Sequence, residues 1–381
     1  MSSCPIYLVD HVESHVARGR NMLIKIKKEK GLSPIISYRD ALYFCLLCGR
    51  CQAVCPARIE NVDVTIDARS RIIREKGPNL SQRIVYRLLL SKRSFLVTLI
   101  RLISFIPGIS KKDAPSLRHI SDSFFLLSKR LSLPRIKRPF LSERISGKGE
   151  IAFFPGCAFE FIFPDIGERM FYSLKKYGLN IEYPIGIGCC GFPVYSSGDI
   201  ETAKEIAKRN IDLLLRYEKI ITGCATCLSG IRKYKDLFEE DDPYNKKARE
   251  VSSKVFGISE FLVRENIKID SEKGGTVTYH DPCHMKWHQG IFDEPRKLIM
   301  SIKGIEFVEM KDPDMCCGLA GSFGITHREI SLELQKRKID AIKDTGAYIV
   351  ATECPGCMIQ IKEGIERERL PIKVVHISEL I

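Results

Sequence analysis

The chain has 381 residues, 44% hydrophobic and 28% charged, with a formal net charge of +13. That length and balance give room for two or three cores and exclude a disordered or collagen-like chain. Fifteen cysteines, about 4% of the residues, are too sparse for a small secreted disulfide scaffold. Most of them stand in Cys-x2-Cys or Cys-Cys spacing, and none lies between Cys55 and Cys157, a clustering that points to sites rather than staples.

The first residues, MSSCPIYLVDHVESH, have no basic start and carry Asp10, His11 and Glu13 where a signal peptide needs an apolar run. A cytoplasmic location is expected, with peripheral contact at the cytoplasmic face of a membrane as an addition. The reducing cytoplasm is where many thiols persist as metal ligands. Residues 1–77 read as a helical domain around a cysteine run, with Tyr38–Tyr43 leading in and Val62–Glu75 as an amphipathic helix behind. The run is Cys45-x2-Cys48-x2-Cys51-x3-Cys55-Pro56, the bacterial ferredoxin spacing for a 4Fe-4S cubane. A zinc site would want two pairs, or histidine partners. Cys4-Pro5 looks like the tail of a second run whose other three cysteines are absent. In two-cluster ferredoxins the cysteine before proline ligates the other run's cluster, so Cys45, Cys48, Cys51 and Cys4 are expected to hold the cubane. The alternative is closure by Cys55, with Cys4 a free thiol.

Residues 78–147 read as a basic, helical connector cut short by Pro107, Pro115, Pro134 and Pro139. Residues 1–150 carry a net charge of about +16 and the remainder about −3. The densest stretch includes Arg83, Arg87, Lys92, Arg93, Lys111, Lys112, Lys129, Arg130 and Arg138. Its basic residues are interleaved with aliphatic ones at helical spacing and without Gly-aromatic signatures. Nucleic acid is therefore not expected as a partner, and an anionic membrane surface or an acidic subunit is. The apolar stretch Phe95–Ile106 is broken by Arg101 and ends at Pro107, too short to span a bilayer.

From Glu150 onward short apolar strands alternate with helices: strands at Ile151–Phe154, Lys219–Thr222, Thr276–Tyr279, Ile305–Glu309, Tyr348–Thr352 and Lys373–Val375, helices at Asp165–Lys176, Ile200–Tyr217 and Ile330–Lys343. This predicts α/β layers with largely parallel strands. The half is an internal duplication. Copy one has Cys157, Cys189-Cys190-Gly191, Cys224-x2-Cys227 and closes on Ile258-Ser259-Glu260. Copy two has Cys283, Cys316-Cys317-Gly318, Cys354-x2-Cys357 and closes on Ile377-Ser378-Glu379. Offsets of 126, 127 and 130 residues between equivalent cysteines make this a duplicated domain. The predicted architecture is α/β: an N-terminal helical ferredoxin-like domain, then two duplicated cysteine-rich domains at 148–265 and 274–381.

Five thiolates per copy exceed what a cubane needs and fit a cluster in which a thiolate bridges irons. Adjacent cysteines on an extended chain point opposite ways, so binding through both demands a tight turn, which Gly191 and Gly318 permit. Vicinal disulfides are the alternative, but they leave three further thiols per copy unused.

The spacing Cys-x31-Cys-Cys-x33-Cys-x2-Cys, then Cys-x32-Cys-Cys-x36-Cys-x2-Cys, resembles the tandem cysteine-rich, or CCG, domain of the B and D subunits of heterodisulfide reductase. It is similar also to the iron-sulfur subunits of glycolate oxidase, lactate-utilisation complexes and anaerobic glycerol-3-phosphate dehydrogenase. The resemblance implies a noncubane 4Fe-4S cluster on each complete set: Cys157, Cys189, Cys190, Cys224 and Cys227, and Cys283, Cys316, Cys317, Cys354 and Cys357. It implies two functions. In one, a disulfide substrate is cleaved between two facing noncubane clusters fed by the cubane. In the other, the chain relays electrons from a flavin dehydrogenase subunit to a quinone or cytochrome. No G-x-G-x-x-G follows a strand, so a flavin would belong to a partner, either a flavoprotein or a membrane cytochrome being the expected redox subunit.

In the second copy, His280, His284 and His288 share i, i+4 spacing, but Pro282 argues against one helix carrying all three as a zinc site. His284, beside Cys283, is the expected proton donor for thiol release, or else a ring that orients Cys283 by hydrogen bonding.

Overall fold

In the computed structural model the described residues are 3–30, 36–80 and 136–381, with 83–84, 86, 97–98, 117–120 and 131–134. The basic connector lies mostly outside them, including Arg87, Lys92, Arg93, Lys111, Lys112, Lys129 and Arg130. Where it is described, residues 83–84, 86 and 97–98 are helical, while β1 (Leu117–Ile120) pairs antiparallel with β2 (Leu131–Pro134) as a short extended insertion, not helical as expected. The alternation Leu131-Ser132-Leu133 carries a period of two, which suits a strand.

The duplicated half forms two four-stranded sheets, each parallel throughout. Copy one contributes β3 (Ile151–Phe153), β4 (Ile181–Glu182), β5 (Lys219–Thr222) and β6 (Val255–Gly257), in the order β4-β3-β5-β6. Copy two contributes β7 (Glu272–Tyr279), β8 (Lys303–Phe307), β9 (Ile349–Thr352) and β10 (Lys373–His376), in the equivalent order β8-β7-β9-β10. In each copy the chain runs from the first strand outward to the second, then crosses back to the third. The topological switch point therefore lies between β3 and β5, and between β7 and β9, and open α/β sheets place ligands beyond the carboxyl ends of such strands.

The helices cover the sheets through faces spaced at three and four residues. Ile200–Leu214 buries Ala203, Ile206, Ala207, Ile211 and Leu214, and it starts at Asp199, whose carboxylate accepts from the Thr202 N–H. One apolar core runs through both copies, joining residues such as Phe153, Ile221 and Leu228 to Val277, Val350 and Ile361. Each large side chain buried in this way contributes about 1.5–3 kcal/mol.

The N-terminal domain packs helices Ala17–Lys30, Ile36–Tyr43 and Asn61–Lys76 around Tyr38, Leu42, Ala68 and Ile72. It is tied to both copies. Arg69, fully buried, donates to the carbonyls of Leu42, Cys45 and Ser196, and the Tyr43 hydroxyl donates to the Ser197 carbonyl. On the other side Ile6 and Leu46 share an apolar cluster with Cys316, Phe323 and Leu334 of copy two.

Candidate functional site

The cysteines sit where the topology predicts. Cys157 follows β3 and Cys224 follows β5, on the two strands flanking the copy-one switch point; Cys283 and Cys354 follow β7 and β9 in the same way. Cys224 and Cys354 are N-caps of the helices Ala225–Arg232 and Pro355–Glu368, whose first turns carry Cys227 and Cys357. The adjacent pairs are turned as required: Gly191 and Gly318 have φ of 82° and 93°. Eight of these ten cysteines are buried, Cys283 is half-buried and Cys157 is exposed, and none is in a disulfide.

Their thiols form a continuous array. In copy one Cys157 contacts Cys189, Cys189 contacts Cys190, Cys190 contacts Cys227, and Cys227 contacts Cys224. Copy two repeats this through Cys283, Cys316, Cys317, Cys357 and Cys354, with Cys317 and Cys357 Sγ 3.6 Å apart. The two arrays meet where the Cys224 and Cys354 thiols adjoin. Cys190, Cys317 and Cys354, each between two neighbouring thiols, are held below the ordinary thiol value, Cys190 at about 6. Cys227 and Cys357 are raised, chiefly by neighbouring thiols and then by burial, and Cys157 is raised chiefly by the neighbouring Cys189. A buried set of thiols that cannot all ionise together fits a multi-iron centre, whose positive charge supplies the missing compensation.

At the N-terminus a small cavity is lined by Cys4, Cys45, Cys48 and Cys51, with Arg20 and Asn61; Cys55 is not in its wall. Burial raises the Cys51 thiol to about 11 and the Cys4 thiol as well, against the pull of Arg20, whose side chain is buried beside them. Cys48 is raised by burial and by the neighbouring Cys316 and Cys283, which places this cavity against copy two and not copy one. The His288 Nε2–H donates to the Leu47 carbonyl at 2.9 Å, fixing the cysteine loop to the helix Cys283–Gln289.

The three histidines do not converge. His284 packs edge-on against Phe192 at 4.6 Å and lies 4.6 Å from the His288 ring. Its carbonyl accepts from the Ser229 hydroxyl, its Nδ1 has no partner, and burial depresses its pKa to about 3. His280 instead joins Cys317 and Cys357, the three ligand atoms lying within 4.8 Å of one another. A groove is lined by Phe192, Tyr195, Ser229, Arg232, Trp287 and His288.

Sequence reading missed the contacts that lock the copies together. The Ala225 N–H donates to the Glu353 carbonyl, and the Ser259 N–H and hydroxyl donate to the Glu353 carboxylate. In the reverse direction His376 Nε2–H donates to the Gly223 carbonyl at 2.7 Å. Aligning the copies would have exposed the signal: Gly223 and Gly257 in copy one stand where copy two has Glu353 and His376, and a Cβ on Gly257 would come 3.0 Å from Glu353 Oε1.

Comparison with known proteins agrees with this arrangement. The cysteine-rich domain family, CCG, matches residues 151–232 and 277–362, and the 4Fe-4S dicluster domain matches residues 1–59. A probable glycolate oxidase iron-sulfur subunit of Bacillus subtilis (strain 168) is 31% identical over 403 residues, 100% of this chain and 91% of that protein. Lactate utilization protein A of Oceanobacillus iheyensis is 33% identical over 234 residues, 61% of this chain and 96% of that protein. The B subunit of the fumarate reductase (CoM/CoB) of Methanothermobacter marburgensis is 31% identical over 350 residues, 90% of this chain but 61% of that protein. Among the described residues no helix is long and apolar enough to cross a membrane. The chain belongs to the family of tandem cysteine-rich (CCG) domain iron-sulfur proteins, electron-transfer subunits of oxidoreductases related to both heterodisulfide reductase and the glycolate and lactate oxidase systems.

Proposed function

We propose that the chain holds a 4Fe-4S cubane on Cys4, Cys45, Cys48 and Cys51 and a noncubane 4Fe-4S cluster on each five-cysteine set. In this reading it couples electron transfer through the cubane to thiol/disulfide chemistry at the paired centres. One observation carries it: the thiol array is unbroken from copy one to copy two through Cys224 and Cys354, and Cys48 adjoins its copy-two end. Clusters on these thiolates would supply one-electron steps. Two adjacent centres can together provide what a disulfide needs, R–S–S–R′ accepting two electrons and two protons to give R–SH and R′–SH. The groove lined by Phe192, Ser229, Arg232 and Trp287 is where we place the substrate, with the buried His284 packed behind Phe192 of its wall.

A second reading is a relay from a flavoprotein subunit to a quinone or membrane cytochrome. The match along the full chain to a probable glycolate oxidase iron-sulfur subunit favours it. In either case the basic segment 78–147 is the part we assign to a partner subunit or a peripheral membrane surface, on its charge. Anaerobic purification with iron and sulfide analysis, followed by EPR after thiol addition, separates the readings. About twelve irons and a thiol-dependent paramagnetic signal are expected. Twelve irons with no thiol response would favour the relay, and zinc in place of iron would overturn both.

A further inference from the structure

The two copies differ at one buried position that faces the cysteines. Three residues before the first cysteine of each set, copy one has Phe154 and copy two has His280. The positions are equivalent in the fold: the Phe154 N–H donates to the Ile221 carbonyl next to β3, and the His280 N–H donates to the Ala351 carbonyl next to β7. His280 is 1% exposed, and neither of its ring nitrogens has a hydrogen-bond partner; the Pro313 carbonyl lies near the ring without meeting hydrogen-bond geometry. An unmade buried hydrogen bond costs about 1–3 kcal/mol. The fold does not require that cost, since phenylalanine fills the same place in copy one. What the ring faces is the Cys317–Cys357 pair, the three ligand atoms lying within 4.8 Å of one another.

A second buried group points the same way. Lys338, 1% exposed, donates to the carbonyls of Asp312 and Pro313 at 2.7 and 3.2 Å, and among the described residues no carboxylate pairs with it. Cys317, Asp314, Asp281 and Cys316 are its electrostatic neighbours, so thiols as well as two more distant carboxylates face the ammonium. A buried ammonium with no carboxylate in direct contact is further compensated if the thiolates beside it belong to an anionic centre.

We propose that His280 donates an N–H hydrogen bond to the Cys317–Cys357 thiolates of the copy-two iron-sulfur centre, and that this bond makes the copy-two centre easier to reduce than the copy-one centre. The inference rests on the reading that both cysteine sets hold clusters. A donor on a ligating sulfur stabilises the charge added on reduction, and hydrogen bonds to sulfur are among the levers that set cluster potentials. All five cysteines are present in copy two, so the imidazole is needed as a donor and not as a ligand. The centre adjoining the cubane is thereby the one that accepts its electrons first.

The test compares wild-type protein with His280→Phe, which reproduces the copy-one residue, and His280→Gln, which keeps an N–H. Iron and sulfide are counted, the two noncubane centres are titrated by EPR, and nitrogen coupling is read by pulsed EPR on protein labelled with 15N-histidine. His280→Phe is expected to keep its iron, to lose the nitrogen coupling and to shift one midpoint negative while the other stays. His280→Gln is expected to recover part of the shift. Unmoved midpoints, or loss of iron in His280→Phe as for a ligand, would overturn the inference alone. A wild-type protein whose iron count does not fall on Cys317→Ala would overturn the cluster assignment, and the inference with it.

Discussion

The N-terminal cavity makes opposite predictions for Cys4 and Cys55. Cys4, Cys45, Cys48 and Cys51 line one space, while Cys55 follows the short helix Arg50–Ala53 outside that wall, its N–H donating to the Gln52 carbonyl. Replacing Cys4 with alanine removes one of four thiolates from a site whose others cannot reach a substitute without unwinding that helix. If each centre holds four irons, the loss is the cubane's share, from about twelve irons per chain to about eight, or to about eleven if a three-iron remnant survives. Cys55→Ala should keep the full count. The assay is iron and sulfide per chain in anaerobically purified protein, with EPR of the dithionite-reduced sample to show which signal is missing. The reasoning fails if Cys4→Ala keeps about twelve irons and an unchanged cubane signal, or if Cys55→Ala is the variant that loses them.

Three further outcomes follow from the packing. Gly156 has φ of 67°, and a Cβ there would lie 2.5 Å from Cys227 Sγ, so Gly156→Ala combines about 1–2 kcal/mol of left-handed strain with displacement of a copy-one ligand; iron should fall by about a third with the cubane signal intact. Arg69→Met removes the guanidinium hydrogen bonds to the Leu42, Cys45 and Ser196 carbonyls, at about 1 kcal/mol each, and should lower the urea midpoint and speed proteolysis of residues 1–77 before the rest of the chain. His376, buried against the Gly223 carbonyl and Ser378, has its pKa lowered by burial to about 4, so the fold holds it neutral while the unfolded chain protonates it near 6.5. Its stabilisation is complete above pH 6.5 and lost as pH falls toward 4, about 1 kcal/mol between pH 7.5 and 5.5 in cluster-free protein; His376→Gln should flatten that part of the pH dependence, and an unchanged slope would refute it.

What the sequence made legible was whatever repeats or alternates strongly enough to stand alone. The strands at Lys219–Thr222 and Ile349–Thr352 are short apolar runs, and the helix Arg328–Lys343 has a clear apolar face, so each could be placed to within a residue or two. β4 and β6, of two and three residues, are too short to carry a period, and they exist because their neighbours in the sheet supply the hydrogen bonds. The turn at each Cys-Cys-Gly was readable because adjacent side chains cannot reach one centre from an extended backbone. Tertiary contacts had no such local sign. Nothing near Glu353 announces that its carboxylate caps Ser259 of the other copy, or that His376 reaches Gly223. Those contacts matter because a duplicated domain begins as two identical centres, which alone give electrons no preferred order. Copy two carries Glu353, His376, His280 and Lys338, while copy one has glycine or phenylalanine at the first three positions. Glu353 and His376 fix one centre against the other, and His280 and Lys338 lie against the centre that also adjoins Cys48. On the proposed reading, divergence between the copies falls where it would give the electron path a direction, with the exposed Cys157 at the far end of the thiol array from Cys48.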